Sequence, residues 1–451
     1  MADTRVLVVG TTPDYIAYIN ERYPGRALFL TDVMHRPSAD YPAPDEADEL
    51  VCPLVDTDGA MQQLHDHLLL HRQSLSGVAG YDCEWLALAA HIAAEYGLPF
   101  PSVDSVLLSR NKHLTKVRWT EQGVRCPITE LIYTGAQAVR FATELGRAIV
   151  LKPLTGSGSE LTFRCQDRFE AIQAFSLIKA GLARRAESPL YSSTDDRHDE
   201  PAPTDAMLAE EYVEGREYSA DFEIDGDQIV LIRVAKKMRS RDLPFGTTLA
   251  YVVPARMPGW LDYEALEGRL REAAQALGLT RAICMVDFIV SHDEIVFLEL
   301  TPRIGGDCLP PLVRHCSGLD TIGLALDFAE KRRLSIPPHR DWELLVGLRL
   351  FAARGGVVTS MNTEALRSDP LVREIYLKRK PGHLVSLPPE DYDSWLLGHV
   401  IFAPGKDIDL SRQCDRMNAK FTIEMEPFHG QRQAGFHATI QPPAQSADTT
   451  A

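Results

Sequence analysis

The chain has 451 residues, 45% of them hydrophobic, and carries a formal net charge of −16. That length predicts about three domains, and the negative charge excludes a nucleic-acid partner recruited by bulk electrostatics, which needs a basic footprint. Eight cysteines without a CxxC pair predict packed, reduced thiols and no disulfide framework.

The first strand follows almost at once, over 5–9, without the charged-then-apolar profile of a signal peptide. No later apolar run nears the ~20 residues of a membrane helix, so the expectation is a soluble, cytoplasmic protein with no membrane partner. Strand-length apolar runs recur at 27–30 and 76–80, interleaved with helical stretches over 60–72 and 84–96. Such alternation predicts a parallel sheet flanked by helices, a Rossmann-like α/β domain over residues 1–104. Its first strand ends in Gly10-Thr11-Thr12-Pro13-Asp14, not in GxGxxG, which argues against a dinucleotide fingerprint.

From 105 to 335 the pattern changes. A helix is predicted over 112–123, closing at Gly123 before Pro127. A strand over 148–152 leads through Thr155-Gly156-Ser157-Gly158-Ser159 to a second strand over 161–165, then a helix over 168–182. Residues 186–204 are polar and rich in Ser, Asp and Pro, and predict a mobile insertion. Strands follow over 207–211, 217–224 and 228–234, the last two joined by Asp225-Gly226, a strong hairpin signal. After a helix over 263–277, two apolar runs at 282–290 and 294–301 flank Ser291-His292-Asp293 and read as another hairpin. Residues 336–428 predict a smaller α+β unit with strand-like runs at 344–351, 356–359 and 399–402, and the Pro/Gln/Ala-rich tail 429–451 predicts disorder.

The 282–301 hairpin carries the most informative pair, Asp287 and Glu299, placed near the same end of neighbouring strands. Hard carboxylate oxygens suit Mg²⁺, which keeps waters and shares itself with substrate phosphates. Arg303 and the flexible Gly305-Gly306-Asp307 stand beside them, so the arrangement suggests phosphoryl transfer. The loop 155–159 can lay backbone N–H groups over phosphates, with Lys152 adding a cation, although alone it also reads as an ordinary glycine-rich turn. Likewise Glu210-Glu211-Tyr212-Val213-Glu214-Gly215-Arg216-Glu217 reads either as a solvated acidic turn or as a hinge that meets an adenine edge.

Lys112, Lys152 with its loop, the 210–217 segment and Asp287…Glu299-x-Thr301-x-Arg303 occur together in the order and spacing of the ATP-grasp superfamily. More narrowly, Thr301-Pro302-Arg303-Ile304-Gly305-Gly306-Asp307 resembles the Asn-x-Arg-x-Gly-Gly-Asp segment of carboxylate–amine ligases such as the L-amino acid ligases. The resemblance implies an N-terminal α/β domain (1–104), a two-part ATP-grasp domain (105–335) and a C-terminal β-rich α+β domain (336–428). It implies ATP and two Mg²⁺ ions, replaceable by Mn²⁺, on Asp287, Glu299 and Thr301, with Thr301 a weaker ligand than the family's Asn. Lys112, Lys152 and Lys236 or Lys237 would contact ATP phosphates under a lid of Gly156, Ser157, Gly158 and Ser159. Glu210, Glu211 and Val213 would meet the adenine, and Glu217 the ribose. Arg303 would be catalytic, steadying charge on the acid and on the later oxyanion. Gly305 and Gly306 would leave room for substrate, and Asp307 would either hold its ammonium or cap a helix beginning near Pro310.

The implied reaction joins a small carboxylate to an amine through an acyl phosphate, releasing ADP and phosphate. Two rivals are a carboxyphosphate-forming carboxylase and a nucleotide-binding regulatory protein without turnover. Oligomeric state is open, with a homodimer the commonest default. Three further patterns read as structural. The spacing of His65, His67 and His71 fits a solvated helix face better than zinc. Asp221, Asp225 and Asp227 fit a hairpin better than calcium, and His315-Cys316 a packed pair better than a nucleophile.

Overall fold

The computed structural model describes residues 3–34, 36, 41–191, 201–405 and 409–428. The expected insertion therefore lies partly, and the 429–451 tail wholly, outside the described residues. The N-terminal sheet is parallel, in the order Glu49–Cys52, Ala27–Asp32, Asp3–Val9, Gln73–Gly80. Val6 and Val8 face one side and Leu7 and Val9 the other, and all four are fully buried. This is the period-2 signature of a strand covered on both faces. On one side lie Leu64, Leu68 and Ile92 from the sheet's own helices. On the other, Ile16 and Ile19 meet Ile283, Ile304, Ile322 and Leu326. The N-terminal domain is thus cemented to the segment that carries the acidic hairpin.

A smaller antiparallel sheet follows, in the order Thr129–Ile132, Met207–Glu211, Ile149–Pro153, Phe163–Cys165. Two helices, Gly135–Leu145 and Arg168–Arg184, pack together against it. The first starts on a capping box between Thr134 and Gln137 and stops at Gly146 in the left-handed region. The second starts on the Asp167 carboxylate, which accepts from the Phe169 and Glu170 N–H groups. Such caps satisfy the first free N–H groups of a helix.

The largest sheet has eight antiparallel strands: Glu294–Thr301, Arg281–Ser291, Arg216–Asp225, Gln228–Arg239, Thr248–Val253, Leu345–Phe351, Leu396–Phe402 and Val372–Leu377. Its last three strands come from the segment after 336, so that segment continues the sheet. A three-stranded sheet, Leu384–Val385, Gly356–Asn362 and Thr422–Glu426, packs beside this end. Helix Tyr263–Ala276 covers one face through Leu266, Leu270, Ala273 and Ala274. The turn His292-Asp293 closes the acidic hairpin, with His292 at φ 51°. Several strands escaped the sequence reading, among them Glu49–Cys52, Thr129–Ile132, Thr248–Val253, Val372–Leu377 and Thr422–Glu426.

Candidate active site

Asp287 and Glu299 are direct partners in the antiparallel register, with a bulge between Asp287 and Phe288. Opposed residues of such a pair project from one face, and bulges commonly re-aim side chains beside active sites. Asp287 is buried and its Oδ2 accepts from Lys237 Nζ at 2.7 Å, while Oδ1 is buried without any partner. Burial pushes the Asp287 carboxyl up, and Glu299 and Glu217 push the same way against Lys237. Glu299 moves oppositely: burial opposes its charge, but Lys112, Lys152 and Lys237 hold it below the usual range. Among the described residues no group of three or more His, Cys, Asp or Glu gathers into a metal site. Two hard carboxylates with one orphaned oxygen therefore fit a Mg²⁺ ion completed by phosphate oxygens and water. Thr301 stands in the same cavity as the pair.

A cleft of about 790 Å³, its open mouth included, lies on one side of these carboxylates. Val150, Tyr212, Val213, Phe245, Ile289 and Leu298 supply its apolar lining, and Lys112, Lys152, Lys237 and Arg239 its cations. Apolar surface beside converging cations suits a flat base carrying phosphates. The loop over the cleft has Gly156 at φ 110° and Gly158 at φ 65°, conformations glycine adopts without strain. It is held by Lys112 Nζ donating to the Gly156 carbonyl at 2.8 Å and Ser159 Oγ donating to the Gly246 carbonyl at 3.0 Å. Ser157 and Ser159 line the cleft, whereas Gly158 faces the neighbouring cavity.

Lys236 lines neither cavity, because alternate strand residues face opposite sides; Lys237 takes the place expected for it. Glu210 lines the cleft with its carboxylate clasped between Lys152 at 2.7 Å and Lys116 at 3.0 Å. Burial opposes its charge, and the two lysines hold it below the usual range. The Glu211 carboxylate is taken by Arg147 at 2.6 Å. Glu217, expected at a ribose, pairs with Lys237 at 2.7 Å and with Arg239.

Beyond the acidic pair lies a second cavity of about 1820 Å³, which shares Lys112, Lys237, Asp287 and Glu299 with the first. Arg303 lines it, donating Nε to Cys83 Sγ at 3.0 Å and Nη1 to the Ile304 carbonyl at 2.7 Å. Gly306 also lines it, and a Cβ there would meet nothing nearer than Arg303 Nη1 at 3.9 Å. Gly305 does not open this space. Its N–H donates to Asp221 Oδ1 at 3.1 Å, and a Cβ would strike Arg233 Nη2 at 2.2 Å. Asp307 does not cap a helix, since helix Leu309–Ser317 begins without a side-chain cap; it lines the second cavity with its Oδ2 2.7 Å from Arg349 Nε.

The structural patterns resolve individually. His67 is buried against the Ala47 carbonyl at 3.2 Å, not solvated as expected, while His65 is exposed. Asp221 forms a fully buried fork with Arg233, at 2.7 and 2.8 Å. His315 Nε2 lies 2.8 Å from Glu374, and the Cys316 thiol donates to the Val253 carbonyl. Sequence reading missed Lys116, Arg239, Phe245, Asp82, Cys83 and Arg349. Only Arg233, a cation inside an apolar run, carried a local signal of a buried partner.

These elements define a nucleotide-cleft fold in which two sheets close over a pair of acidic residues. Residues 145–311 match the family model of the ATP-grasp domain, and the chain has the ATP-grasp fold. The crystal structure of an L-amino acid ligase from Bacillus licheniformis superposes with a TM-score of 0.73 at 17% identity, over 94% of this chain and 100% of that one. In sequence the chain is 25% identical to the uncharacterized protein y4rH of Sinorhizobium fredii, over 68% of this chain and 60% of that protein. It is 24% identical to mouse carnosine synthase 1, over 62% of this chain and 34% of that enzyme. The chain therefore spans 60% of the first of these relatives and about a third of the second. Among the described residues no helix is long and apolar enough to cross a membrane.

Proposed function

We propose that this protein is an ATP-dependent carboxylate–amine ligase, forming an amide with release of ADP and phosphate. The observation that carries the reading is the meeting of two cavities at Asp287 and Glu299, one lined for a nucleotide and the other holding Arg303. The names of similar proteins, an L-amino acid ligase and a carnosine synthase, agree with small carboxylate and amine substrates.

In this reading Asp287 and Glu299, with Thr301 beside them, would hold Mg²⁺. Bound there, the metal would neutralise charge on the transferring phosphoryl group. Lys112, Lys152 and Lys237 face the phosphates, and Glu210 and Glu217 keep the lysine heads in place. The substrate carboxylate attacks the γ-phosphorus, becoming an acyl phosphate as ADP leaves; the amine nitrogen then attacks the acyl carbon as phosphate leaves. Phosphoryl transfer asks the protein chiefly for positioning and charge neutralisation. Arg303 steadies the carboxylate and then the tetrahedral oxyanion, a contribution of about 2.7–4 kcal/mol for a group of this kind.

A screen of acids against amines, read by ADP and phosphate release and by mass spectrometry of products, tests the reading. ADP release that requires both substrates and yields an amide is expected. Turnover dependent on bicarbonate would point to a carboxylase, and nucleotide binding with no turnover across the panel would point to a regulatory protein.

A further inference from the structure

Five carboxylates line the second cavity: Asp14, Asp82, Asp287, Glu299 and Asp307. Asp307 is paired with Arg349, and Asp287 and Glu299 face the lysines of the phosphate site. Asp14 lies in the first turn of helix Pro13–Arg22. Asp82 differs from the three paired ones. It follows strand Gln73–Gly80 at the carboxyl end of the parallel sheet, where ligands of open α/β sheets bind, and it makes no ion pair among the described residues. It precedes Cys83, whose sulfur accepts from Arg303, so it stands next to the group expected to hold the reacting acid.

Amines enter at neutral pH as ammonium ions, which carry no lone pair for attack. We infer that Asp82 is the general base that removes one proton from the incoming ammonium, a role that rests on the ligase reading above. The ammonium nitrogen gives that proton to the Asp82 carboxylate and attacks the acyl carbon. The carbon–oxygen bond to phosphate breaks, and the second nitrogen proton leaves with the phosphate as HPO₄²⁻. The groups facing Asp82 are Thr11, Asp14 and Tyr15 from the N-terminal strand end and helix, Glu84 on its own segment, and Arg303 opposite. Burial, reinforced by Glu84 and Asp14 and opposed by Arg303 and Thr11, pushes the Asp82 carboxyl up to about 7. A base of that strength matches a proton transfer at neutral pH.

Hydroxylamine separates this role from a structural one, because it is largely uncharged at neutral pH and traps acyl phosphates without a base. Hydroxamate formation by the wild type, with each L-amino acid as acid, checks the ligase reading; none with any acid would overturn that reading and this inference together. With the best acid, Asp82→Asn should keep hydroxamate formation within about threefold of wild type. Amide formation with L-amino acids offered as amines should fall by roughly 10²–10⁴-fold, and Asp82→Glu should restore part of it. In the wild type, kcat/KM for the amine should rise as pH passes upward through about 7, and that limb should vanish in Asp82→Asn. Equal losses of hydroxamate and amide, or an unaltered acid limb, would overturn the assignment.

Discussion

Lys237 Nζ lies 2.7 Å from Asp287 Oδ2 and 2.7 Å from Glu217 Oε1. A side-chain cation thus sits against the carboxylate to which a divalent ion would bind. Replacing it removes a competitor for the metal and, at the same time, a partner for phosphate. Lys237→Met should therefore bind Mn²⁺ more tightly in the absence of nucleotide, by about tenfold or 1.4 kcal/mol, while ADP release falls. Titration followed by the Mn²⁺ spin signal reads the first effect, and unchanged or weaker metal binding would refute it.

Lys236 provides the matching control. It sits one residue away on the opposite strand face and lines neither cavity. Lys236→Ala should change nucleotide affinity by less than about 0.5 kcal/mol, whereas Lys237→Ala should weaken it clearly. Calorimetry with a non-hydrolysable ATP analogue compares the two.

The Glu299 side chain is 37% exposed and its ion-pair partner Lys112 is 3.8 Å away, so truncating it opens no hole in a core. Glu299→Ala should lower ADP formation by at least roughly 10²–10³-fold while the protein stays folded, as circular dichroism would show. Wild-type turnover in that variant would remove Glu299 from the set of metal ligands.

Arg303 faces the second cavity and not the nucleotide cleft. Arg303→Ala should reduce turnover by roughly 10²–10³-fold and leave ATP-analogue binding nearly intact. Parallel losses of both would assign the guanidinium to nucleotide binding.

The Arg233–Asp221 fork is fully buried, and Asp221 also accepts from the Gly305 N–H. Arg233→Met strands a buried carboxylate and should cost about 3–5 kcal/mol of stability. Adding Asp221→Leu should recover much of that loss. Thermal or denaturant unfolding of the single and double variants measures both steps.

The acidic hairpin was legible because two apolar runs and a short polar turn bring Asp287 and Glu299 to the same end of neighbouring strands, whereas their direct opposition depends on the bulge between Asp287 and Phe288, which no local pattern announces. The glycine-rich loop was legible from composition. Its tie to Gly246 was not, since that contact joins residues 87 positions apart. Strand parity alone separates Lys236 from Lys237, and the short run 228–234 underestimated a strand that extends to Arg239. Gly305 and Gly306 look alike in sequence; only the packing of Arg233 against one of them tells them apart. Asp82 and Cys83 reach the site because the parallel sheet docks through Ile16 and Ile19 onto Ile304 and Ile322, a long-range contact that no local pattern encodes.

The eight-stranded ladder has a practical consequence for anyone shortening the protein. Ending translation at residue 335 would not shed an appendage. It would bare Thr248–Val253 along the ladder it shares with Leu345–Phe351, remove Arg349 from beside Asp307, and leave a sticky edge of the sort that drives aggregation. Chimeras that exchange this region with a homologue's should put their junctions in loops and carry all three distal strands across together.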